Sequence, residues 1–347
     1  MRIRSSIALG LGLGLGLSLS WAPSLAQAAN GLRPRTPAKF ASVPCMQTIA
    51  PGDVLHIDYS VDYDDIELTP DELPDSRKHQ WFAFSKQLYD FGFPIWINQS
   101  DYDRAEQNGD ITVMFGPEDI LDTSAVWPAG TSVRITPDDP RLPITMEQAA
   151  MGIDWDTTGV GPGTWLVAAY TWEPENNLWS PRFGAVRIED PADPEAGGPT
   201  VFLPFDDGLF VLRGEPLALS ACVEAPGGST FTASWATVDG VNEPQWVPFI
   251  EDEPVASGDL SVEFVPPAEA GTAVKVRIEV TDPAGRSYVA FTPRTIAVSG
   301  EIAEDDTGGG EDVGGGEGCG GCRTAPSSPG LLVGLGLLVL GSCRRRR

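Results

Sequence analysis

Val274-Lys-Val-Arg-Ile-Glu-Val280 is the stretch of sequence that decides the fold. Its β-branched residues alternate with charged ones, which is the period-two pattern of a strand with one face in a core. The pattern predicts two faces, one buried (Val274, Val276, Ile278, Val280) and one exposed (Lys275, Arg277, Glu279). Asp282-Pro-Ala-Gly285 follows with residues typical of a turn. This part of the chain is therefore predicted to be a strand that enters a turn.

Similar short strand patterns recur through residues 200–299. Roughly seven strands in ~100 residues are typical of an immunoglobulin-like sandwich. Trp235 follows Cys222 in a spacing that resembles the Cys…Trp pair of immunoglobulin domains, but 273–281 contains no second cysteine. This segment therefore resembles a bacterial immunoglobulin-like or PKD-like module, which implies a β-sandwich.

The preceding segment, 45–192, is also predicted to be rich in strands. Val54–Asp62 alternates, and the strands Thr164–Trp172 and Leu178–Glu189 flank a loop with Pro174 and two asparagines, which indicates a hairpin. Further strand candidates are Gln80–Phe84, Phe93–Asn98, Ile111–Phe115 and Ser132–Thr136, and a short helix is expected over Met146–Met151. The predicted fold class is all-β, with two tandem immunoglobulin-like sandwiches.

Composition shifts divide the rest of the chain. The predicted organisation is a signal peptide (1–28), a flexible lead (29–44), an aromatic-rich sandwich (45–192), a linker (193–199), a second sandwich (200–299), an acidic glycine-rich spacer (300–318) and a sorting signal (319–347). Arg2, Arg4, an apolar run and Ala26-Gln-Ala28 are the parts of a cleaved secretory signal. An uncleaved membrane anchor is the alternative.

The C-terminus carries three features in a fixed order. Cys319-Gly-Gly-Cys322 precedes the apolar run Leu331–Leu340, and Arg344, Arg345, Arg346 and Arg347 end the chain. This order resembles MYXO-CTERM, the C-terminal sorting signal of myxobacterial surface proteins, from about Gly314 onward. The resemblance implies a membrane protease that acts at Cys319 or Cys322 and leaves the protein on the cell surface. The arginine cluster is expected to stay cytoplasmic.

The short apolar run and the cysteine pair leave alternatives open. The run falls short of the roughly 20 apolar residues that cross a bilayer, so it suits transient insertion, although a permanent tail anchor remains an alternative. Cys319 and Cys322 could also form half of a zinc site or a redox pair. The zinc site lacks a second ligand pair nearby, and the glycine tract is unlike the context of a redox motif.

The net charge of −26 excludes nucleic acid as a partner, because such a surface repels phosphates. An export route permits disulfides, so Cys45 and Cys222 are a candidate bridge between the two sandwiches, with two buried thiols as the alternative. Cys222 has the opposite strand parity to Ala221 and Val223, so it is predicted to face away from the core of the second sandwich.

No catalytic motif is present in the sequence, and no catalytic residue is predicted. Only two histidines occur, His56 on the polar face of a strand and His79 in an expected loop, and both are predicted to be exposed. We expect no cofactor and no established metal site. Structural calcium is an open alternative on the acids of exposed loops and of the linker (Asp62, Asp64, Asp65, Asp101, Asp103, Asp190, Asp193, Glu195).

The first sandwich is rich in aromatic residues, and most are expected in its core. Trp172 and Trp179 flank the hairpin loop and are the candidate binding residues. The sequence therefore predicts an exported, surface-anchored, non-enzymatic protein that binds an unidentified protein or polysaccharide or serves as an envelope spacer. Its other expected partners are the sorting protease and the membrane. The alternative is a secreted hydrolase with an unrecognised active site in the first sandwich.

Overall fold

The computed structural model describes residues 35–300, apart from 42, 71, 89–91, 112–113, 138–140, 175–176, 205–208 and 240–242. The predicted signal peptide, the acidic spacer from residue 301 onward and the sorting signal, with Cys319, Cys322 and Arg344–Arg347, lie outside the described residues. Among the residues that are described, no helix is both long enough and apolar enough to cross a membrane. All of them belong to one compact unit.

The described residues of the N-terminal half form eight strands and two helices. In chain order they are β1 (Met46–Ile49), β2 (Val54–Ile57), β3 (Lys78–Phe84), α1 (Gln99–Asn108), β4 (Ser132–Arg134), β5 (Leu142–Pro143), α2 (Met146–Met151), β6 (Ile153–Asp156), β7 (Gly163–Trp172) and β8 (Leu178–Ile188). A 3-10 turn, Pro117–Asp119, lies between α1 and β4. We call this half the N-terminal sandwich.

A six-stranded sheet in the order β1-β8-β7-β3-β4 is its centre, with β5 also paired to β3. β1 runs parallel to β8, and the other pairs are antiparallel. The ribbon β2–β6 packs on one face through Leu55, Ile57 and Trp155. The segment that contains α1 packs on the other face, which places Phe82, Tyr170 and Trp172 in a second core. β7 is therefore buried on both faces.

The C-terminal half contains nine strands. They are β9 (Thr200–Phe202), β10 (Phe210–Leu212), β11 (Leu217–Glu224), β12 (Thr230–Thr237), β13 (Val247–Pro254), β14 (Gly258–Phe264), β15 (Ala273–Thr281), β16 (Ser287–Phe291) and β17 (Ile296–Ser299). One sheet has the order β10-β17-β15-β12-β13, with β16 paired to β15, and the other has the order β14-β11-β9. We call this half the C-terminal sandwich.

The alternation of residues 274–280 has the predicted inward face. Val274, Val276, Ile278 and Val280 are all fully buried between the two sheets. The prediction for Lys275 was wrong, since its side chain is buried and its Nζ donates to the carbonyl of Thr292 at 3.2 Å. The segment that follows β16 covers this end of β15 and supplies the acceptor.

Several predicted elements differ from the structure in the N-terminal sandwich. Residues 93–98 form only an isolated bridge, Trp96 to Ile120, and not a strand, and the described residues of 111–115 are also outside any strand. The helix α1 that follows was not predicted. Residues 35–41 pack on the sheet, whereas the sequence predicts a flexible lead there. Thr36 and Ala38 are buried, and Lys39 pairs with Ser60.

Candidate functional site

A disulfide joins the two sandwiches. Cys45 immediately precedes β1, Cys222 lies on β11, and their Cα atoms are 6.2 Å apart. Beside it, Phe202 of the C-terminal sandwich packs on Leu166 and Ala185 of the N-terminal sheet, and all three are buried. The bridge links the two halves across 177 residues of sequence, next to an apolar contact that excludes water.

Gln87 makes a second connection. Its Nε2 donates to the carbonyl oxygen of Phe291 at 3.3 Å, and its Oε1 accepts from the N–H of the same residue at 3.2 Å. Phe291 ends β16, so the amide side chain takes the place of a neighbouring strand. Because both groups are buried, the paired bonds fix this contact in one register.

Arg187 holds the segment between the sandwiches. It is buried on β8, and its Nη1 donates to Gly198 O and Thr200 Oγ1, both at 2.8 Å, while Nη2 donates to Pro194 O at 3.0 Å. Gly197 lies so close to Gly163 that a Cβ at Gly197 would meet the Gly163 nitrogen at 2.9 Å. The segment 193–199 is therefore attached to the N-terminal sheet, and a side chain at Gly197 would push it away.

A groove of about 480 Å³ lies along this junction. Gly161, Pro162 and Trp165 line one wall, and Pro199 and Tyr288 line the other. Trp165 and the Tyr288 hydroxyl are mostly covered by their own sandwiches, so the groove presents mainly glycine and proline backbone. Ser85, Thr164, Arg286 and Ser287 also line it.

A polar cleft of about 300 Å³ opens on the N-terminal sandwich, at the start of α1. Asn98 caps the helix by accepting from the N–H of Asp101 at 2.8 Å, and Gly109 ends it with a φ of 84°. These caps place Ser100, Asp101 and Arg104 at the cleft. Strand β3 contributes Lys78 to the same cleft.

Arg141 forms the floor of the cleft. Its Nε donates to Gln80 Oε1 at 3.0 Å, its Nη1 and Nη2 donate to the carboxylate of Asp101, and its guanidinium lies 4.7 Å from the ring centre of Trp172. The arginine is buried, and all three of its nitrogen atoms donate hydrogen bonds. It therefore supplies fixed positive charge below the cleft and holds Asp101 in place.

The rim of the cleft is more open. Lys78 Nζ pairs with Asp75 Oδ1 at 3.1 Å on the surface. Arg104 is exposed, and its hydrogen bond runs from Nη2 to Pro74 O at 2.9 Å. A guanidinium carries five N–H donors, so Arg104 has capacity for a ligand.

Arg77 is at the centre of a separate, buried ionic cluster. It is fully buried at a φ of 56°, and donates to Asp65 Oδ2 at 2.8 Å, to Glu72 Oε1 at 2.8 Å and to Glu173 Oε1 at 2.9 Å. Burial raises the pKa of Glu173 to about 7, and the attraction of Arg77 limits the rise. Three carboxylates thus share one guanidinium away from solvent.

The two histidines lie in opposite environments. His79 is fully buried on β3, so the prediction of an exposed loop was wrong, and burial lowers its pKa to about 4. Its Nε2–H donates to Thr36 O at 3.0 Å, since a carbonyl only accepts. His56 is exposed between Asp154, 2.7 Å away, and Asp58, and the hydrogen bond with Asp154 raises its pKa. Because one histidine is enclosed in the core and the other lies on the surface, they do not form one site.

Most acids considered for calcium already have partners. Asp65 and Asp101 pair with arginines as described, Asp62 pairs with Lys39 at 2.6 Å, and Asp64 Oδ1 accepts from the N–H of Met146 at 2.7 Å. Across the described ranges of the chain, no group of three or more His, Cys, Asp or Glu side chains could hold a metal ion.

The two tryptophans proposed for binding belong to the aromatic core. Trp172 is fully buried, which corrects the prediction, because the segment containing α1 covers that face of β7. Trp179 is half-buried among Phe82, Phe93 and Tyr170, and its Nε1 donates to Pro94 O at 2.7 Å. Neither ring is an exposed platform.

The sequence predicted the Cys45–Cys222 bridge as a candidate, and the structure shows it. Asp101 was considered only as a calcium ligand, and the other residues of the cleft and of the junction were not predicted as site residues. Asn98 before α1 and Gly109 after it were readable as a helix start and stop. Gln87, Arg141 and Arg187 gave no comparable signal, because their partners are distant in sequence.

No known protein family matches the chain. No curated protein matches it either. Among solved structures, it is similar to an ICAM-5 D1–D4 ectodomain fragment, at 13% identity over 78% of this chain and 53% of that chain, with a TM-score of 0.19. It is also similar to a chain from a study of Dscam isoform specificity, at 10% identity over 76% and 51%, with a TM-score of 0.20.

A Salmonella alpha-2-macroglobulin mutant matches at 12% identity over 78% of this chain and 16% of that one, with a TM-score of 0.19. The chain spans about half the length of the ICAM-5 and Dscam chains that it matches. Scores this low carry no argument about fold or function, which rest here on the sheets and contacts of the chain itself.

Proposed function

We propose that the chain is an exported, non-catalytic binding or structural protein of the cell surface. The observation that carries this proposal is the junction, where a disulfide, the Gln87 clamp and Arg187 hold two sandwiches together. A disulfide suits an oxidising compartment outside the cytosol. Two sandwiches held in one orientation suit a scaffold that presents a surface at a fixed distance and angle.

The environments of the histidines support a non-catalytic role. His79 is neutral and enclosed, and His56 is engaged with two surface aspartates. Among the residues that the structure describes, His56 bonds to Asp154 and His79 bonds to Thr36 O, and neither histidine bonds to a serine or a cysteine. In this proposal the domains span 45–192 and 200–299, joined by 193–199, and the ligand is a protein or a polysaccharide. The net charge disfavours nucleic acid.

Anchoring is assigned to the C-terminal signal. The proposal is that the apolar run enters the membrane while Arg344–Arg347 stay cytoplasmic, and that a sorting protease then acts at Cys319 or Cys322. The protein is thereby left on the surface, at the end of the spacer 300–318.

Fractionation of expressing cells, with mass spectrometry of the mature termini, tests this assignment. We expect surface protein that begins near Ala29 and lacks Arg344–Arg347. An Arg344→Ala, Arg345→Ala, Arg346→Ala, Arg347→Ala variant should be mislocalised, while Arg277→Gln serves as the control. Intact arginines on protease-accessible surface protein would defeat the processing step, and cytosolic protein would defeat export.

A further inference from the structure

The charge of the cleft at the start of α1 differs from that of the whole chain. Lys78, Arg104 and Arg141 line it together with Asp75 and Asp101, which gives a local charge of about +1, whereas the chain carries −26. Arg141 pairs with Asp101 and Lys78 pairs with Asp75, so the unbalanced positive charge is that of Arg104, and it attracts an anion at short range. The rest of the surface repels an anion at long range, so binding depends on direct contacts within the cleft.

The donors of the cleft are arranged for a carboxylate. Arg141 is fixed by Asp101, Gln80 and Trp172, while Arg104 is exposed and makes its hydrogen bond to Pro74 O through Nη2. Its remaining N–H groups can form the paired hydrogen bonds that arginine makes with carboxylates. Lys78 adds a point charge at the same rim.

The other groups in the cleft suit hydroxyls. Asn98, Ser100, Asp75 and Asp101 bring an amide, a hydroxyl and two carboxylates to its wall. Ser100 Oγ donates to Asn98 Oδ1 at 2.6 Å, and the same Asn98 oxygen accepts from the N–H of Asp101. The Asn98 amide nitrogen is therefore the donor for a ligand, while the Ser100 oxygen and the carboxylate of Asp75 are acceptors for hydroxyl groups. The volume of about 300 Å³ lies at the small end of ligand sites, which span about 300–1,000 Å³.

The same geometry disfavours neutral sugars and apolar peptides. Trp172 is fully buried beneath Arg104 and Arg141, so the cleft exposes no ring on which a neutral sugar could stack. It also offers no apolar hollow for a peptide side chain, since every residue that lines it is polar or charged. A ligand with one carboxylate and several hydroxyls can bond to both the cationic and the hydrogen-bonding side chains of the cleft.

We propose that this cleft binds the uronic acid units of an acidic polysaccharide. The carboxylate lies against Arg104 and Lys78, and the ring hydroxyls bond to Ser100, Asn98 and Asp75. The inference rests on the proposed function, because it names the ligand class of a non-catalytic surface protein.

Calorimetric titration of the full chain in detergent with oligogalacturonate tests the proposal. We expect saturable binding, a loss of at least tenfold in affinity in Arg104→Gln, and unchanged binding in Arg277→Gln, which removes the same charge from the C-terminal sandwich. Malto-oligosaccharide of equal length should give no heat. Amide NMR shifts of Ser100 and Asp101 on titration would locate the site.

Three results would overturn it: oligogalacturonate that does not bind, binding that is equal in Arg104→Gln, or oligoglutamate and sulfate that bind as tightly as oligogalacturonate. The last result would make the cleft a general anion site. A failure here leaves the surface location and the scaffold role standing, because fractionation measures those separately. Binding by a protein that fractionates in the cytosol would instead remove only the proposed function.

Discussion

The two sandwiches bury different kinds of side chain. The C-terminal core is built from aliphatic residues of regular strands, such as Val274, Val276 and Ile278, with Lys275 as a buried cation. The N-terminal sandwich buries Arg77, Asp101 and Arg141 together with large aromatic rings. Buried ion pairs add little net stability, but removal of one partner is strongly destabilising, so the two halves should respond differently to the loss of a charged side chain.

The largest predicted effect follows from removing the buried guanidinium. Arg77→Met removes the guanidinium to which Asp65, Glu72 and Glu173 are all bonded, which should cost about 3–5 kcal/mol of unfolding free energy. Urea denaturation followed by tryptophan fluorescence measures the loss. The guanidinium of Arg277 lies 5.0 Å from the centre of the Trp246 ring. Arg277→Met should lower the unfolding free energy by about 1 kcal/mol or less. Equal losses in the two variants would erase the contrast between the halves.

The disulfide comes next in size. Cys45→Ala with Cys222→Ala should lower the unfolding free energy by about 2–4 kcal/mol, because the bridge restrains a long loop in the unfolded chain. The Gln87 and Arg187 contacts should still hold the sandwiches together, so small-angle scattering should show an unchanged radius of gyration. An expanded particle would mean that the bridge alone sets the geometry.

The pH dependence of stability should show two opposed contributions in the N-terminal sandwich. Burial lowers the pKa of His79 from 6.5 to about 4, so its contribution is lost as pH falls from about 6.5 to 4. Burial raises the pKa of Glu173 from 4.5 to about 7, so its contribution is lost as pH rises from about 4.5 to 7. Each amounts to roughly 3 kcal/mol, and they should offset between about pH 4.5 and 6.5.

Single variants should separate these contributions. Glu173→Gln should leave a stability that rises with pH over this window, and His79→Gln should leave one that falls. Chemical denaturation at several pH values measures both slopes. Two variants that keep the flat profile of the parent would contradict the assigned protonation states.

The smallest expected change in stability follows from replacing Gln87, whose side-chain amide bonds to the N–H and carbonyl of Phe291. Gln87→Ala leaves the buried N–H and carbonyl of Phe291 without these partners, at a cost of about 1–3 kcal/mol. Gln87→Glu keeps the acceptor for the Phe291 N–H but puts a carboxylate against the carbonyl, so it should also destabilise. Hydrogen exchange at Phe291 should speed up in both. Unchanged protection would show that the clamp contributes nothing.

Several regular elements were predictable because an alternating pattern or clear turn and cap residues marked them. Residues 274–280 alternate with a single core face, and the helix Met146–Met151 and the hairpin of β7 and β8 carry clear turn and cap residues. Helix α1 has only Tyr102 and Ala105 as buried apolar residues, so it lacks an apolar stripe and depends on its caps. Because most of its residues are polar, the helix has no apolar periodicity from which it could be predicted.

The candidate sites were harder to predict than the strands. β7 is buried on both faces, so its sequence does not tell which aromatic rings face solvent, and Trp172 was misplaced for that reason. The Arg77 cluster joins Asp65 to Glu173, and the cleft joins Lys78 to Arg141. Such partners meet only when the sheet is formed, and a single sequence contains no sign of the pairing.

Residual dipolar couplings of the full chain in a weakly aligned medium test the central claim most directly. Amides of the N-terminal and C-terminal sandwiches should fit one common alignment tensor, because the disulfide, Gln87 and Arg187 fix their relative orientation. Two tensors of different magnitude would mean that the sandwiches move independently, and the scaffold account would then be wrong.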